Sequence, residues 1–351
     1  MNSYPSLKGQ VIVTGGCGYI GSQTVIELLK KTELEVISID NLVNSHAEVV
    51  GRIEEITGKR IKNYQIDLKD LALVESVFEQ EKNVIGIIHF AAYKSVPESV
   101  EKPLEYFDNN LNSTINLLKC CRKFNIDNFI FSSSCSVYGD NLPSPVTEDT
   151  EAGRDLKSPY AMTKKMGEEI LENFSKSMDG FQAISLRYFN PVGADPSGKN
   201  GELPKTNFDN LVPRLIYTAL GRFPKFMVYG TDYDTRDGSC IRDYIHVVDI
   251  ADAHIMALDY LVTKKSNKSH DIINLGSGKG TTVLEAITCF EKTSGIKLNY
   301  ELGGRRAGDV AVIYSDYSKA RTVLGWEPQY NIDQMMESAW QWTNNALEVK
   351  N

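Results

Sequence analysis

Residues 11–21 read VIVTGGCGYIG: an apolar run, Val11-Ile12-Val13, and then glycines at 15, 18 and 21. That order predicts a strand feeding a tight turn and a helix. Glycines there permit positive φ and let the backbone come close to a pyrophosphate, and the free N–H groups of a helix N-terminus supply positive potential. A dinucleotide is the ligand that fits. In a chain with 26 glycines the triplet alone is also what an ordinary turn looks like, so its surroundings carry the weight. Nineteen residues beyond Gly21 a second apolar run, Val36-Ile37-Ser38-Ile39, ends in Asp40, whose carboxylate would accept hydrogen bonds from an adenosine ribose diol. NAD is therefore favoured over NADP: a 2′-phosphate would meet the Asp40 charge, the next residue is Asn41 rather than an arginine, and Arg52 is more distant.

Outward from this segment, short β-branched runs at 10–14, 36–39, 64–67, 84–90, 128–132 and 183–188 alternate with helical patterns at 21–31, 70–81, 103–125 and 160–178. Alternation of this kind implies parallel βαβ units. The expected fold is α/β, a Rossmann-like doubly wound parallel sheet with a smaller mixed α/β C-terminal domain for the substrate. Pro191, Pro196, Gly198, Gly201 and Pro204 break any regular period after Asn190, which puts the boundary between residues 1–190 and 191–351. Later segments near 230–280, such as Asp271–Leu275, are candidates to return to the first sheet. Beyond the boundary, helical patterns lie near 209–221, 249–263, 281–294 and 331–347, and strand-like runs at 226–229 and 271–275.

Length and composition bound the rest. A chain of 351 residues with 42% hydrophobic content suits a two-lobed enzyme or one large domain with insertions. A net charge of -8 argues against a nucleic-acid partner, which needs a clustered cationic face, so an anionic ligand must be held by local arginines. Cysteines at 17, 120, 121, 135, 240 and 289 form no CxxC pair and read as buried thiols of a reducing compartment. Five histidines make no HExxH or Cys/His cluster, so no metal is expected. The start, MNSYPSLKG, has no apolar core, and no run approaches a membrane span; the expectation is a cytoplasmic protein with no membrane partner.

The chemistry centres on Tyr160-Ala-Met-Thr-Lys164, a phenol and an ammonium one helical turn apart. Spacing alone is weak, since Tyr4/Lys8 and Tyr260/Lys264 match it equally. Tyr160 stands out because Ser132-Ser133-Ser134 lies upstream at the carboxyl end of the apolar run 128–131, where parallel sheets place their ligands. A cation about 4 Å away at an effective dielectric near 20 is worth roughly 4 kcal/mol, or about three pKa units, enough to make Tyr160 a base near neutral pH. Ser134 would hydrogen-bond the substrate hydroxyl and relay its proton.

Together these segments resemble the extended short-chain dehydrogenase/reductase family, and within it the UDP-glucose 4-epimerases, over nearly the full length. The strings that carry the likeness are TGGCGYIGS at 14–22, DNLVNS at 40–45, HFAAYKSVPESVEKPLEYFDNN at 89–110, FIFSSSCSVYGD at 129–140, SPYAMTKKMGE at 158–168, LRYFNPVGADPSG at 186–198, YGTDYDTRDGSCIRDYIHVVD at 229–249 and RRAGDVAVIYSD at 305–316. The resemblance implies that Ser134, Tyr160 and Lys164 are catalytic. It implies NAD held by Gly15, Gly18, Tyr19, Ile20 and Gly21; by Asp40, Asn41, Leu42, Val43, Asn44 and Ser45; by Asp67 and Leu68; by Phe90, Ala91, Ala92 and Lys94; and by Asn109, Ser134, Tyr160, Lys164 and Phe189. A UDP-sugar would meet Lys94, Ser134, Tyr160, Tyr188, Asn190, Asn210, Leu211, Met227, Val228, Tyr229, Arg242, Arg306, Asp309 and Ile313. Guanidinium groups at Arg242 and Arg306 independently suit a diphosphate.

The implied reaction interconverts UDP-galactose and UDP-glucose through a 4-keto sugar, the two hydride transfers cancelling. Ile313 stands where relatives carry a tyrosine or a small residue, leaving acceptance of UDP-GlcNAc and UDP-GalNAc open. By the same likeness a homodimer would pair through the helices near 103–125 and 160–178. Three rivals share much of this pattern. A nucleotide-sugar 4,6-dehydratase would carry Asp-Glu after the strand-end hydroxyl, where this chain has Cys135-Ser136. A UDP-pentose 4-epimerase has no excluding residue. A silent NAD-binding scaffold or redox sensor has no need of Ser134, Tyr160 and Lys164.

Overall fold

The computed structural model describes residues 4–139, 143–205, 208, 210–306 and 310–348. The N-terminal half alternates strand and helix: β1 (Gln10–Thr14), α1 (Tyr19–Lys31), β2 (Glu35–Ile39), α2 (Glu48–Thr57), β3 (Lys62–Tyr64), α3 (Leu71–Gln80), β4 (Val84–His89), α4 (Val96–Glu101), α5 (Pro103–Phe124), β5 (Asn128–Ser134), α6 (Pro159–Ser175) and β6 (Gln182–Tyr188). After it come β7 (Asn190–Val192), α7 (Leu211–Ala219), β8 (Phe226–Tyr229), β9 (Ile241–His246), α8 (Val247–Val262), β10 (His270–Leu275), β11 (Gly280–Thr282), α9 (Val283–Ser294), β12 (Tyr300–Gly303), β13 (Val312–Ile313), α10 (Ser318–Leu324) and α11 (Ile332–Glu348).

Among the described residues a seven-stranded sheet runs β10-β6-β5-β4-β1-β2-β3, parallel throughout. The central strands are buried along nearly their whole length because both faces are covered, with apolar residues in the middle of β1, β4 and β5 and polar ones such as Ser133 and Arg187 toward the carboxyl ends. One face buries Val25, Ile26 and Leu29 of α1 and Ile250, Ala253, Leu258 and Leu261 of α8. The other buries Val74 and Val77 of α3, Leu117 and Cys121 of α5 and Leu171 of α6. Chain order reverses between β1 and β4, and at such a crevice a doubly wound sheet binds its ligand outside the strands' carboxyl ends.

The Rossmann-like expectation is met. A smaller C-terminal domain adds a sheet ordered β11-β9-β13 with β7 on β9, a parallel β8–β12 pair, and a core from α7, α9 and α11 that includes Leu215, Ile216, Phe290, Met335 and Met336. Glycine-loop helix α1 is tied to the segment after β7, where Gln23 donates to Asp195 at 2.9 Å and Asn200 to Ser22 at 3.0 Å.

Several elements differ from the sequence reading. The strand expected at 64–67 lies at Lys62–Tyr64, paired with Ile37–Ile39; Ile66 turns back on the Tyr64 carbonyl at 3.0 Å, and Leu68 is buried from a loop. Its apolar side chains are core residues without being strand residues. Helix α2 escaped because only Val49 and Ile53 are buried in it. Strand β9 escaped because Asp243, a buried carboxylate, breaks the apolar run of IRDYIH.

Candidate active site

Each glycine of the opening motif has a steric reason. Gly15 has φ +69° and a Cβ there would stand 2.8 Å from the Ala91 backbone nitrogen; on Gly18 it would meet the Gly15 carbonyl at 3.2 Å, and on Gly21 at 2.1 Å. The turn is closed by Gly15 N–H donating to Ile39 at 2.8 Å and Gly18 N–H to the Gly15 carbonyl at 2.9 Å. α1 starts at Gly18 with no side-chain cap and no acidic residue in its first turn, whereas α3 is capped by Asp70 and α6 by Ser158. Free N–H groups at the start of a thirteen-residue helix, beside a cradle that side chains would fill, suit a pyrophosphate.

Asp40, at the end of β2, organises this crevice. Its carboxylate accepts from the Cys17 N–H at 3.0 Å, the Leu42 N–H at 2.9 Å and the Ser45 hydroxyl at 2.7 Å. The loop carrying Asn41, Leu42, Val43 and Asn44 is thereby wrapped against the glycine turn; Leu42 adopts φ +62°, and Lys205 donates to its carbonyl at 2.7 Å. Ala91, following β4, donates to the Thr14 hydroxyl at 3.4 Å, and Phe90 lies 4.6 Å from the His254 ring. Asn109 is buried on α5 and donates to Asn110 at 3.0 Å. Asp67 caps its own turn at Lys69, and Asn116 donates to the Leu68 carbonyl at 2.9 Å. Tyr19 donates to the Gly193 carbonyl at 2.6 Å, while Ile20 packs against the core of the sheet.

Ser134 ends β5 and Tyr160 opens α6, whose start is set by Ser158 accepting from Ala161 N–H at 3.2 Å with Pro159 in the first turn. The two strand-and-helix ends bring the Ser134 hydroxyl beside the Tyr160 phenol. Ser134 Oγ also accepts from the Ser136 N–H at 3.2 Å and the Ser136 hydroxyl at 3.0 Å. Burial pushes the Tyr160 phenol up to about 12 against the opposing pull of Ser134, and the Cys135 thiol pushes the same way as burial.

Lys164 corrects one expectation. Its ammonium donates to the Ser132 carbonyl at 2.7 Å, sits over Phe131 at 5.0 Å and is 6.0 Å from the Tyr160 ring centre. Burial draws it down to about 7, opposed by the Glu168 carboxylate. The chain alone therefore does not acidify Tyr160 as a 4 Å pair would: its cation is spent on a backbone carbonyl, and desolvation of the phenol outweighs it.

The substrate side is assembled mainly from the C-terminal domain. Arg242 on β9 donates to Val310 at 2.5 Å and Ile241 at 2.9 Å, and its charge reaches Cys135, next to Ser134. Arg306 lies 5.4 Å from the Tyr229 ring, an exposed side chain beyond buried Val228 on β8, where Met227 pairs with Glu301. Ile313 on β13 pairs with Arg242 and packs with Val137, Tyr138 and Phe189. Asn190 opens β7, and Leu211 opens α7 after Asn210. Tyr188 on β6 pairs with Ser134 on β5, and its side chain lies in the core with its hydroxyl 2.7 Å from His254. Asp309 lies outside the described residues.

Two groups escaped the sequence reading. Glu202 accepts from Lys94 at 3.0 Å and Asn210 at 2.8 Å, joining the two domains across the crevice, and no local pattern marks it. Glu168 is buried one turn past Lys164, and an acidic residue on the buried side of that helix was its only signal.

Residues 11–276 match the NAD dependent epimerase/dehydratase family. The UDP-glucose 4-epimerase of Pasteurella multocida (strain Pm70) is 44% identical over 332 residues, 95% of this chain and 96% of that protein. The structure of UDP-glucose 4-epimerase from Bifidobacterium longum in complex with NAD+ and UDP superposes with a TM-score of 0.90 at 45% identity, over 96% of this chain and 98% of that one. The UDP-glucose-4-epimerase from Stenotrophomonas maltophila, with bound NAD and formylated UDP-arabinopyranose, gives 0.92 at 38% identity, over 97% and 99%.

Proposed function

The chain belongs to the NAD dependent epimerase/dehydratase family, and from that membership we infer that it is a UDP-glucose 4-epimerase, an isomerase that interconverts UDP-galactose and UDP-glucose with NAD as its cofactor. The observation that carries this reading is the meeting of Ser134 and Tyr160, with Lys164 one turn on, at the carboxyl end of β5, two strands along the sheet from β1 and its glycine turn. The chemistry that bound NAD would supply is reversible acceptance of hydride from the sugar's C4.

The chain's own residues do the rest. We assign the cradle around Gly15, Gly18 and Gly21 to the pyrophosphate and Asp40 to the ribose diol. Tyr160 is assigned as the base that removes the C4 hydroxyl proton and later restores it, with Ser134 bridging hydroxyl and phenol. A positively charged ring placed in the crevice would add what Lys164 alone does not supply and draw the phenol down into its working range. Arg242 and Arg306 would clamp the diphosphate while the hexose, held more loosely, turns over between the two transfers. Residues 1–190, with segments near 230–280 returning, are read as the NAD-binding domain and 191–351 as the UDP-sugar domain.

Extension to UDP-GlcNAc and UDP-GalNAc turns on the volume at Ile313. A homodimer through α5 and α6 is supported by Leu104, Met162 and Met166, apolar side chains exposed on those helices. We place the protein in the cytoplasm on its six unpaired thiols; among the described residues no helix is long and apolar enough to cross a membrane.

The test is UDP-galactose given to the purified protein without added NAD, with product identification across UDP-hexoses, N-acetylhexosamines and pentoses. UDP-glucose is expected. Water release with a 4-keto-6-deoxy product would instead establish a dehydratase, and cofactor binding without turnover a scaffold.

A further inference from the structure

Behind the catalytic set lies a charge pair that the reaction does not touch. Glu168 and Arg187 are 1% and 2% exposed, and the guanidinium grips the carboxylate with two bonds, Nε to Oε1 at 2.8 Å and Nη2 to Oε2 at 2.7 Å. Glu168 Oε1 also accepts from the Ser133 hydroxyl at 2.7 Å. Consecutive residues of β5 are thus bound to consecutive turns of α6, Ser132 to Lys164 and Ser133 to Glu168, immediately before Ser134. On the other side of Ser134, the short helical turn Cys135–Tyr138 ends with the Tyr138 ring 4.7 Å from the Arg187 guanidinium, its hydroxyl fixed on Asn274 at 2.6 Å.

We propose that Glu168 and Arg187 are positioning residues for the epimerase reaction, holding Ser134 from both sides and placing a carboxylate one helical turn from the Lys164 ammonium. The proposal rests on the reading of Tyr160 as base. Two bonds and one hydroxyl tie would be a costly way to fill space, since buried ion pairs are often replaced by apolar residues at no loss of stability. Geometry gives the pair a further task. Lys164 is faced by Glu168 and Tyr160 from its own helix, by Phe131 and the Ser132 carbonyl from β5, and by His89 from β4. His89 is buried, hydrogen-bonded to Thr14 and Thr114, and held neutral down to about 3, which leaves Glu168 as the negative charge acting on the lysine.

The test replaces the pair together, Glu168→Gln with Arg187→Met, so that neither member of the ion pair is left without the other. In the NAD-loaded protein the Tyr160 phenol is titrated by ultraviolet difference against Tyr160→Phe, and kcat and KM for UDP-galactose are followed across pH. Without Glu168 the lysine sheds its proton at lower pH. The phenol midpoint is then expected to rise by about one unit, and kcat at neutral pH to fall about tenfold with KM within about twofold. Glu168→Asp, which keeps the charge, is expected to restore most of the midpoint. A folded, NAD-loaded double variant with the wild-type midpoint and pH profile overturns the proposal. Should the double variant not fold, Ser133→Ala carries the test: kcat about threefold lower at unchanged KM is expected, and an unaltered kcat overturns it. A wild type that turns over no UDP-sugar would sink the epimerase reading and this proposal with it, whereas an unshifted phenol titration in a variant of an active wild type sinks the proposal alone.

Discussion

A Cβ on Gly21 would stand 2.1 Å from the carbonyl oxygen of Gly15, closer than any side-chain atom packs against a backbone oxygen. The first turn of α1 and the glycine turn therefore touch with no room for a methyl. Gly21→Ala must spread that contact, at about 1–3 kcal/mol of overpacking, and displace the N–H groups that would receive a pyrophosphate. We expect at least a tenfold drop in the NAD that copurifies with the protein, measured after gel filtration. Gly51→Ala is the control: nothing lies within 4 Å of its Cβ inside α2, and a gain of about 0.5–1 kcal/mol is expected. Gly21→Ala with a full complement of NAD would remove the cradle from the argument.

Tyr160→Phe deletes the phenol hydroxyl that lies beside Ser134 while leaving the packing around α6 intact. Turnover of UDP-galactose is expected to fall by roughly 10²–10⁴-fold, with NAD still bound. Near-normal kcat in the variant would transfer the proton to another group.

Acid should unfold this protein partly through histidine. His254 is buried between the Tyr188 hydroxyl at 2.7 Å and the Ile250 carbonyl at 2.8 Å, and burial draws it down to about 4. Unfolded, it binds a proton near 6.5, so between pH 6.5 and 4 the unfolded chain carries the extra proton. Its contribution to stability is whole above pH 6.5 and is lost as pH falls through that window, with a slope of up to about 1.4 kcal/mol per pH unit. His254→Gln should flatten the pH dependence of the unfolding free energy there. An unchanged slope would mean the ring is already protonated in the fold.

Glu202 spans the crevice to Lys94 on one side and Asn210 on the other. The lysine is 63% exposed, so the ion pair itself is worth little to stability, about 0–1 kcal/mol. Its role is placement of two groups assigned to cofactor and substrate. Glu202→Ala is expected to raise KM for UDP-galactose about fivefold with kcat within about twofold and a melting shift under about 2 °C. A large loss of melting temperature with unchanged KM would make the contact structural only.

Much of this site was legible in one dimension because its parts are local. A glycine triplet behind an apolar strand, an acidic residue ending the next strand and a Tyr/Lys pair one turn apart each act through backbone geometry over a few residues, and Thr14–Gly21, Asp40 and Tyr160–Lys164 all fall where that reading puts them. Strand β10 was visible from Ile272, Ile273 and Leu275, a short apolar stretch that a local reading can find. Burial and partnership are not local. Whether Lys164 points its charge at Tyr160 or at the Ser132 carbonyl, which of 46 acidic residues lies beside it, and that Glu202 closes the crevice depend on where distant strands and helices stop. Desolvation sets the proton affinities of Tyr160 and Lys164, and it is a property of the packed whole; the order of residues names the groups, and only the assembled core assigns their charge.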